Sequence, residues 1–388
     1  MGSRFTLAMD SMRAAIVHYW LLNMRGGEKV VEALCRLLPD ADVFTLFYDP
    51  ERVSPAIRSR VVQASFLNPL RRYHRSLLPL APIALESFDL RGYDLVISSE
   101  SGPSKGVLTT SRTRHICYCH SPMRYLWDLY HGYLHEWTKT LWKRAALAAL
   151  SCPLRMWDYA SAARVDQFVA NSRNVRQRIW KTYRRQAQVV YPPVDVDRFH
   201  WSSDRDYYLV VSELVAYKRI EDAVCCASRT GRRLKIVGEG PEYRTLSRQA
   251  NANVEFCGRV PRQELLELYA RCRALLMPGE EDFGIVAVEA MASGKPVVAL
   301  GRGGAREGVA PEEHSPSGVF YDSPDEASLG DAIRRFEQIE HSVNPLRLQA
   351  WAAGFSPERF LERMRQSIGL ESPPLRAEHR AAGAVRQA

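Results

Sequence analysis

Apolar residues recur along the chain in two alternating rhythms. Short runs rich in β-branched and aromatic residues, "AAIVHYW", "DVFTLFY", "YDLVISS", "HICYCH" and "DQFVANS", alternate with helical stretches such as "GGEKVVEALCRLL". Strands that alternate with helices predict a parallel sheet covered on both faces. After "VVYPPVDVDRF" the rhythm restarts with "YYLVVSE", "RLKIVGEG", "VEFCGRV", "ALLMPGE" and "PVVALG". Pro192-Pro193 and the polar "HWSSDRD" read as an extended linker between the two series. The pattern predicts an α/β protein of two Rossmann-like, doubly wound domains facing a cleft. The N-terminal domain is expected over residues 12–195 and the C-terminal domain over 205–350, with a helix over 351–370 crossing back to the N domain. Residues 1–11 are read as an extension and 371–388 lack periodic apolar positions, so both ends are expected to be disordered.

Ligands of open parallel sheets bind outside the carboxyl ends of the strands. "NMRGGEKV" follows the first strand and opens a helix, which puts Gly26 and Gly27 at such an end and Glu28 in the first helical turn. "VGEGPE", with Gly238, and "LGRGGARE" follow later strands. None matches a phosphate loop ending in Gly-Lys-Ser/Thr or a Gly-x-Gly-x-x-Gly helix opening, which counts against kinases and dehydrogenases. In "EEDFGIVAVEAMASG" the turn-forming Asp282, Phe283 and Gly284 separate a loop acid, Glu281, from Glu289 on a helix begun near Ile285. Phe283, Gly284, Ile285 and Val286 are read as donor-binding, the first-turn amides facing an anion and Gly284 allowing close approach. Glu289 then suits ribose hydroxyls and Glu281 the hydroxyls of a group beyond the phosphates. The competing reading makes Glu281 a solvated acid at a helix start and Glu289 a surface acid.

Composition narrows this picture. The 388 residues are 46% hydrophobic and 25% charged, enough for two buried cores. No uninterrupted apolar run of about 18 residues occurs and the start lacks an apolar signal core, so a cytoplasmic location is expected. Eight scattered cysteines are expected to be reduced. Cys117, Cys119 and His120 resemble metal ligands, but no second pair stands at zinc spacing, and no metal is expected. Net charge is +9, and Arg52 to Leu85 contains Arg52, Arg58, Arg60, Arg71, Arg72 and Arg75 without one acid. Basic and apolar positions alternate there as on a surface that meets anionic lipid. A solvated helical face is the plainer alternative, and no nucleic-acid motif accompanies the charge.

"PGEEDFGIVAVEAMASGKPVVALGRGG" resembles the signature of the retaining nucleotide-sugar glycosyltransferases of family 4, which have the GT-B fold. "CYCHSPMRYLWD", "RVDQFVANS", "VVYPPVDVDRF" and "LVVSELVAYKRIEDAV" are similar to the bacterial mannosyltransferases of O-antigen and exopolysaccharide synthesis. The resemblance implies transfer of a sugar, with mannose from GDP-mannose the first expectation, to a lipid diphosphate-linked saccharide by an enzyme peripheral on the inner face of the cytoplasmic membrane. It implies no cofactor beyond the nucleotide-sugar substrate. By matching position, it implies that His120 contacts the donor sugar, Lys218 neutralises the diphosphate, Gly26 and Gly27 lie near diphosphate and acceptor, and Glu281 and Glu289 contact sugar and ribose. Many relatives carry Arg five residues before the lysine; here that position is Glu213, and Arg219 is the candidate replacement. Glu28 and Arg124 are candidates for the acceptor side, with Arg124 and Asp128 expected to pair one turn apart on a helix. Another GDP- or UDP-sugar, an epimerase, and a non-catalytic sugar-nucleotide-binding protein are the alternatives.

Overall fold

β-Branched and aromatic runs that are apolar on both faces can be buried only inside a covered sheet. The computed structural model describes residues 12–138, 140–311 and 316–370; the expectations for 1–11 and 371–388 lie outside the described residues. The first series supplies β1 (Ala14–Leu21), β2 (Asp42–Tyr48), β3 (Val62–Ala64), β4 (Leu95–Glu100), β5 (Arg114–Cys119), β6 (Gln167–Ala170) and β7 (Ala187–Val189). They form one parallel sheet in the order β3-β2-β1-β4-β5-β6-β7. The second series supplies β8 (Tyr207–Val211), β9 (Leu234–Val237), β10 (Val254–Gly258), β11 (Cys272–Met277), β12 (Val297–Leu300) and β13 (Gly318–Tyr321). Their order is β10-β9-β8-β11-β12-β13, again parallel throughout.

Strand order reverses between β1 and β4 in one sheet and between β8 and β11 in the other. Chains leaving neighbouring strands at such a point diverge to opposite faces and open a crevice. β1 leads into the glycine loop and the helix Gly26–Leu37, while β5 ends one residue before His120. In the second sheet β8 leads to Glu213 and Lys218, and β11 to Glu280 and Glu281.

The two cysteines of β5 lie beside a buried charge cluster. Sulfur and carboxylate atoms of Glu100, Cys117 and Cys119 lie within 4.8 Å of one another, without His120. Lys105 Nζ stands 3.4 Å from Glu100 Oε1 and also pairs with Asp158, all three fully buried. Burial pushes both thiols up. The cluster already faces an ammonium ion, and it fixes the chain after β4 to the helix Leu141–Ala162.

The helix Pro357–Ile368 starts on the Ser356 cap, whose hydroxyl accepts from Arg359 N–H, with Pro357 in the first turn. Its Phe360, Met364 and Ile368, four residues apart, enter the N-domain core with Ile16, Val30 and Leu34. Phe360 meets Tyr118 edge to face, ring centres 5.7 Å apart. Phe360→Ala is therefore expected to destabilise the N domain by about 3–5 kcal/mol, read as a lower denaturation midpoint. An unchanged midpoint would show that this helix is not part of that core.

Candidate functional site

On the N-domain side, Gly26 and Gly27 open their helix, and at Gly26 a side chain would press on the other domain. A Cβ on Gly26 would lie 2.8 Å from Ile285 Cδ1 of the other domain. The Glu28 carboxylate, nearly sequestered from water, caps the helix by accepting the Arg25 N–H at 3.0 Å. Burial raises the Glu28 pKa to about 7, against the opposing pull of backbone hydrogen bonds and Arg25. His120, at the end of β5, shares a 2.9 Å hydrogen bond between Nε2 and Ser99 Oγ. Burial lowers its pKa to about 4, so the ring is neutral at pH 7, although Asp282 pulls the other way.

On the C-domain side, Lys218 Nζ pairs closely with Glu281 Oε2, both side chains largely buried. Glu281 lies in the loop, bridged to Gly303, and its carbonyl accepts from Gly304 N–H at 2.8 Å. Gly284 caps the helix Ile285–Ala292 with φ 88°, a conformation that favours glycine. The Ala287 N–H is donated to Gly284 O at 2.9 Å, which leaves Ile285 and Val286 as the first-turn positions nearest the loop. Glu289 is 4% exposed and accepts from Tyr269 OH at 2.8 Å, Lys29 Nζ at 3.1 Å and Arg262 Nη1 at 3.4 Å. Burial alone would raise its pKa; Lys29, Arg262 and Tyr269 outweigh it and hold the carboxyl below its usual value. Glu289 is thus a buried carboxylate rather than a surface acid.

Four expectations change. Phe283 is buried and stacks on Tyr191 with ring centres 5.3 Å apart, also meeting Phe355, so its side chain is committed to the C-domain core. Gly238, at φ 135°, would place a Cβ 1.9 Å from Ser212 O; its demand is for close loop packing. Arg219 does not replace the missing arginine, because its guanidinium forks onto Asp222 at 2.7 and 3.1 Å. Arg124 and Asp128 do not pair: residues 124–129 form turns, not a helix, and both side chains take partners elsewhere. Arg124 donates to Glu280 O at 3.3 Å and stands 3.5 Å from Asp282, whereas Asp128 takes Arg178 at 2.8 Å.

Cations cross the seam, and two of them, Arg178 and Arg25, are marked by no motif of the sequence. Arg178, on the helix Arg173–Tyr183, binds Asp128 of its own domain and Glu280 and Asp282 of the other. Its spacing of three from buried Val175 was the available signal, since that puts it on the inward face. Glu213 accepts Arg25 at 2.8 Å and Arg75 at 3.0 Å, both from the N domain. An acid where a cation was expected therefore collects two cations from across the crevice.

The Glu28 proton gives the site a measurable signature. Between pH 4.5 and about 7 the folded chain keeps a proton that the unfolded chain releases. Stability from this group is full below pH 4.5 and lost as pH rises through about 7. Denaturation midpoints across that range are expected to fall less steeply in Glu28→Gln than in the wild type; equal slopes would show that Glu28 titrates normally.

Comparison with known proteins agrees with this geometry. Residues 24–198 match the family described as Glycosyltransferase Family 4, and residues 195–350 match Glycosyl transferases group 1. A 147-residue segment is 26% identical to an uncharacterized glycosyltransferase of Methanocaldococcus jannaschii, covering 37% of this chain and 42% of that one. A GDP-mannose-dependent monoacylated alpha-(1-6)-phosphatidylinositol monomannoside mannosyltransferase of Corynebacterium glutamicum is 33% identical over 138 residues, 33% of this chain and 34% of its own. The matches thus span less than half of these relatives' length. Among solved structures, Anabaena HepE in complex with UDP and glucose superposes with TM-score 0.65 at 16% identity, over 92% of this chain and 99% of that one. Sucrose-phosphate synthase from Thermosynechococcus elongatus gives 0.67 at 18%, over 91% and 98%. At such identities the likeness is one of fold. Two matched domains in tandem and two facing parallel sheets place the chain in the GT-B fold of the group 1 and family 4 glycosyltransferases.

Proposed function

We propose that the protein is a retaining, metal-independent hexosyltransferase that moves a sugar from a nucleotide diphosphate to a lipid-linked or polysaccharide acceptor. The observation that carries this reading is the convergence of Lys218, Glu281 and the Gly284 helix start on Gly26, Gly27 and His120. Lys218 and the first-turn amides offer fixed positive charge to a leaving diphosphate, and Glu281 and His120 offer hydrogen bonds to the sugar. Glu289 accepts a ribose hydroxyl at Oε2, where Tyr269 leaves one lone pair while Lys29 and Arg262 take Oε1. No side chain is assigned as general base; the leaving phosphate takes the acceptor proton.

GDP-mannose is the preferred donor because two kinds of matched relative are named as GDP-mannose-dependent mannosyltransferases. A UDP-sugar is the second reading, favoured by the UDP and glucose in the HepE complex. A panel of sugar nucleotides decides between them: at one hundred times Kd the true donor stabilises the fold by about 2.7 kcal/mol and raises Tm. Failure of every sugar nucleotide to raise Tm would overturn the reading. Glu281→Ala is expected to keep the affinity for free nucleotide, since it frees Lys218 to face the diphosphate, and to lower turnover by about 10²-fold because the sugar loses its contact. Equal loss of both would refute that role for Glu281.

A peripheral contact with anionic membrane on the cytoplasmic side is part of the proposal. Arg71 and Arg72 are exposed beside Leu70, 48% exposed, and Tyr73, 51% exposed. No helix of the described residues is long and apolar enough to cross a membrane. Arg75 is bound to Glu213 and is best left intact. Arg71→Gln with Arg72→Gln is expected to reduce sedimentation with vesicles containing anionic lipid and to leave binding to neutral vesicles unchanged. Equal binding by variant and wild type would remove the membrane contact.

A further inference from the structure

His18, in the middle of β1, is 1% exposed, and its Nε2 has no hydrogen-bond partner. Buried polar atoms are almost always paired, so an orphan beside a functional crevice points to an absent partner. The ring is fixed at its other nitrogen: Nδ1 lies 2.9 Å from Ser99 O. A carbonyl can only accept, so Nδ1 carries the proton and Nε2 presents a bare lone pair. Burial, reinforced by nearby His120, lowers the His18 pKa to about 3, which keeps this tautomer at ordinary pH.

The lone pair faces the glycine loop. A Cβ on Gly27 would lie 3.4 Å from His18 Cε1, 3.8 Å from His18 Nε2 and 3.8 Å from His120 Nε2. Glycine leaves a methyl-sized gap between the two imidazoles. Ser99 ties both rings, its carbonyl to His18 and its hydroxyl to His120. We propose that His18 Nε2 accepts a hydrogen bond from a sugar hydroxyl held between these rings, making His18 a sugar-binding residue of the crevice. This rests on the glycosyltransferase reading above. The hydroxyl belongs either to the donor sugar or to the acceptor saccharide, which share the chemistry.

The test combines the intact protein with two variants. In protein labelled with ¹⁵N-histidine, the His18 Nε2 resonance, assigned by its loss in His18→Leu, is followed on adding GDP, GDP-mannose or UDP-glucose. GDP with methyl α-mannoside serves as the acceptor-side probe. A shift with the sugar nucleotide but not with GDP assigns the donor hydroxyl; a shift only with the methyl mannoside assigns the acceptor. His18→Leu is expected to keep its affinity for GDP and to lose about tenfold in kcat/KM, the value of one hydrogen bond. His18→Gln, whose amide oxygen reaches the Nε2 position, is expected to recover part of that loss, which a packing defect would not predict. If a sugar nucleotide raises Tm while the His18 resonance stays fixed under every probe, the inference fails and the glycosyltransferase reading survives. If none raises Tm, both fail. Should His18→Leu not fold, the wild-type resonance, assigned through His18→Gln, still decides.

Discussion

A guanidinium withdrawn from water between two domains must find acceptors on both sides, and Arg178 finds three carboxylates there. Its side chain is 11% exposed; Asp128 comes from its own domain, while Glu280 and Asp282 flank Glu281 in the other. The loop carrying Glu281 is therefore pinned on either side by a residue of the N domain. This interaction ties the presentation of the loop acid to the orientation of the domains.

The same sign pattern runs along the whole seam. Acids of the C domain, Glu213, Glu280, Asp282 and Glu289, meet cations of the N domain, Arg25, Arg75, Arg178 and Lys29. The complementarity fixes register between the two surfaces. An anionic ligand entering here offers the N-domain cations an alternative to those acids.

Much of this was legible in the chain because the signals were local. Alternation of β-rich and helical runs is written residue by residue, and both sheets appear where the two series fall. Glu281 in a loop and Glu289 on a helix followed from the turn residues between them. Contacts between segments distant in sequence were not legible. Arg124 and Asp128 satisfied a helix spacing that their turn conformation cancels, and Arg219 stood next to Asp222, which claimed it. Phe283 read as part of a ligand loop, although an aromatic between two others gains more from the C-domain core. His18 was hidden by its strand, since one histidine in an apolar run carries no local sign of what its free nitrogen faces.

The helix Pro357–Ile368 closes the core of a domain whose other strands lie more than 160 residues earlier in the chain. During synthesis the N-terminal sheet leaves the ribosome first, yet the groove that takes Phe360, Met364 and Ile368 stays open until the second domain has also emerged. The domain made first is thus the last to be completed, and until then it presents an apolar groove for chaperones to cover.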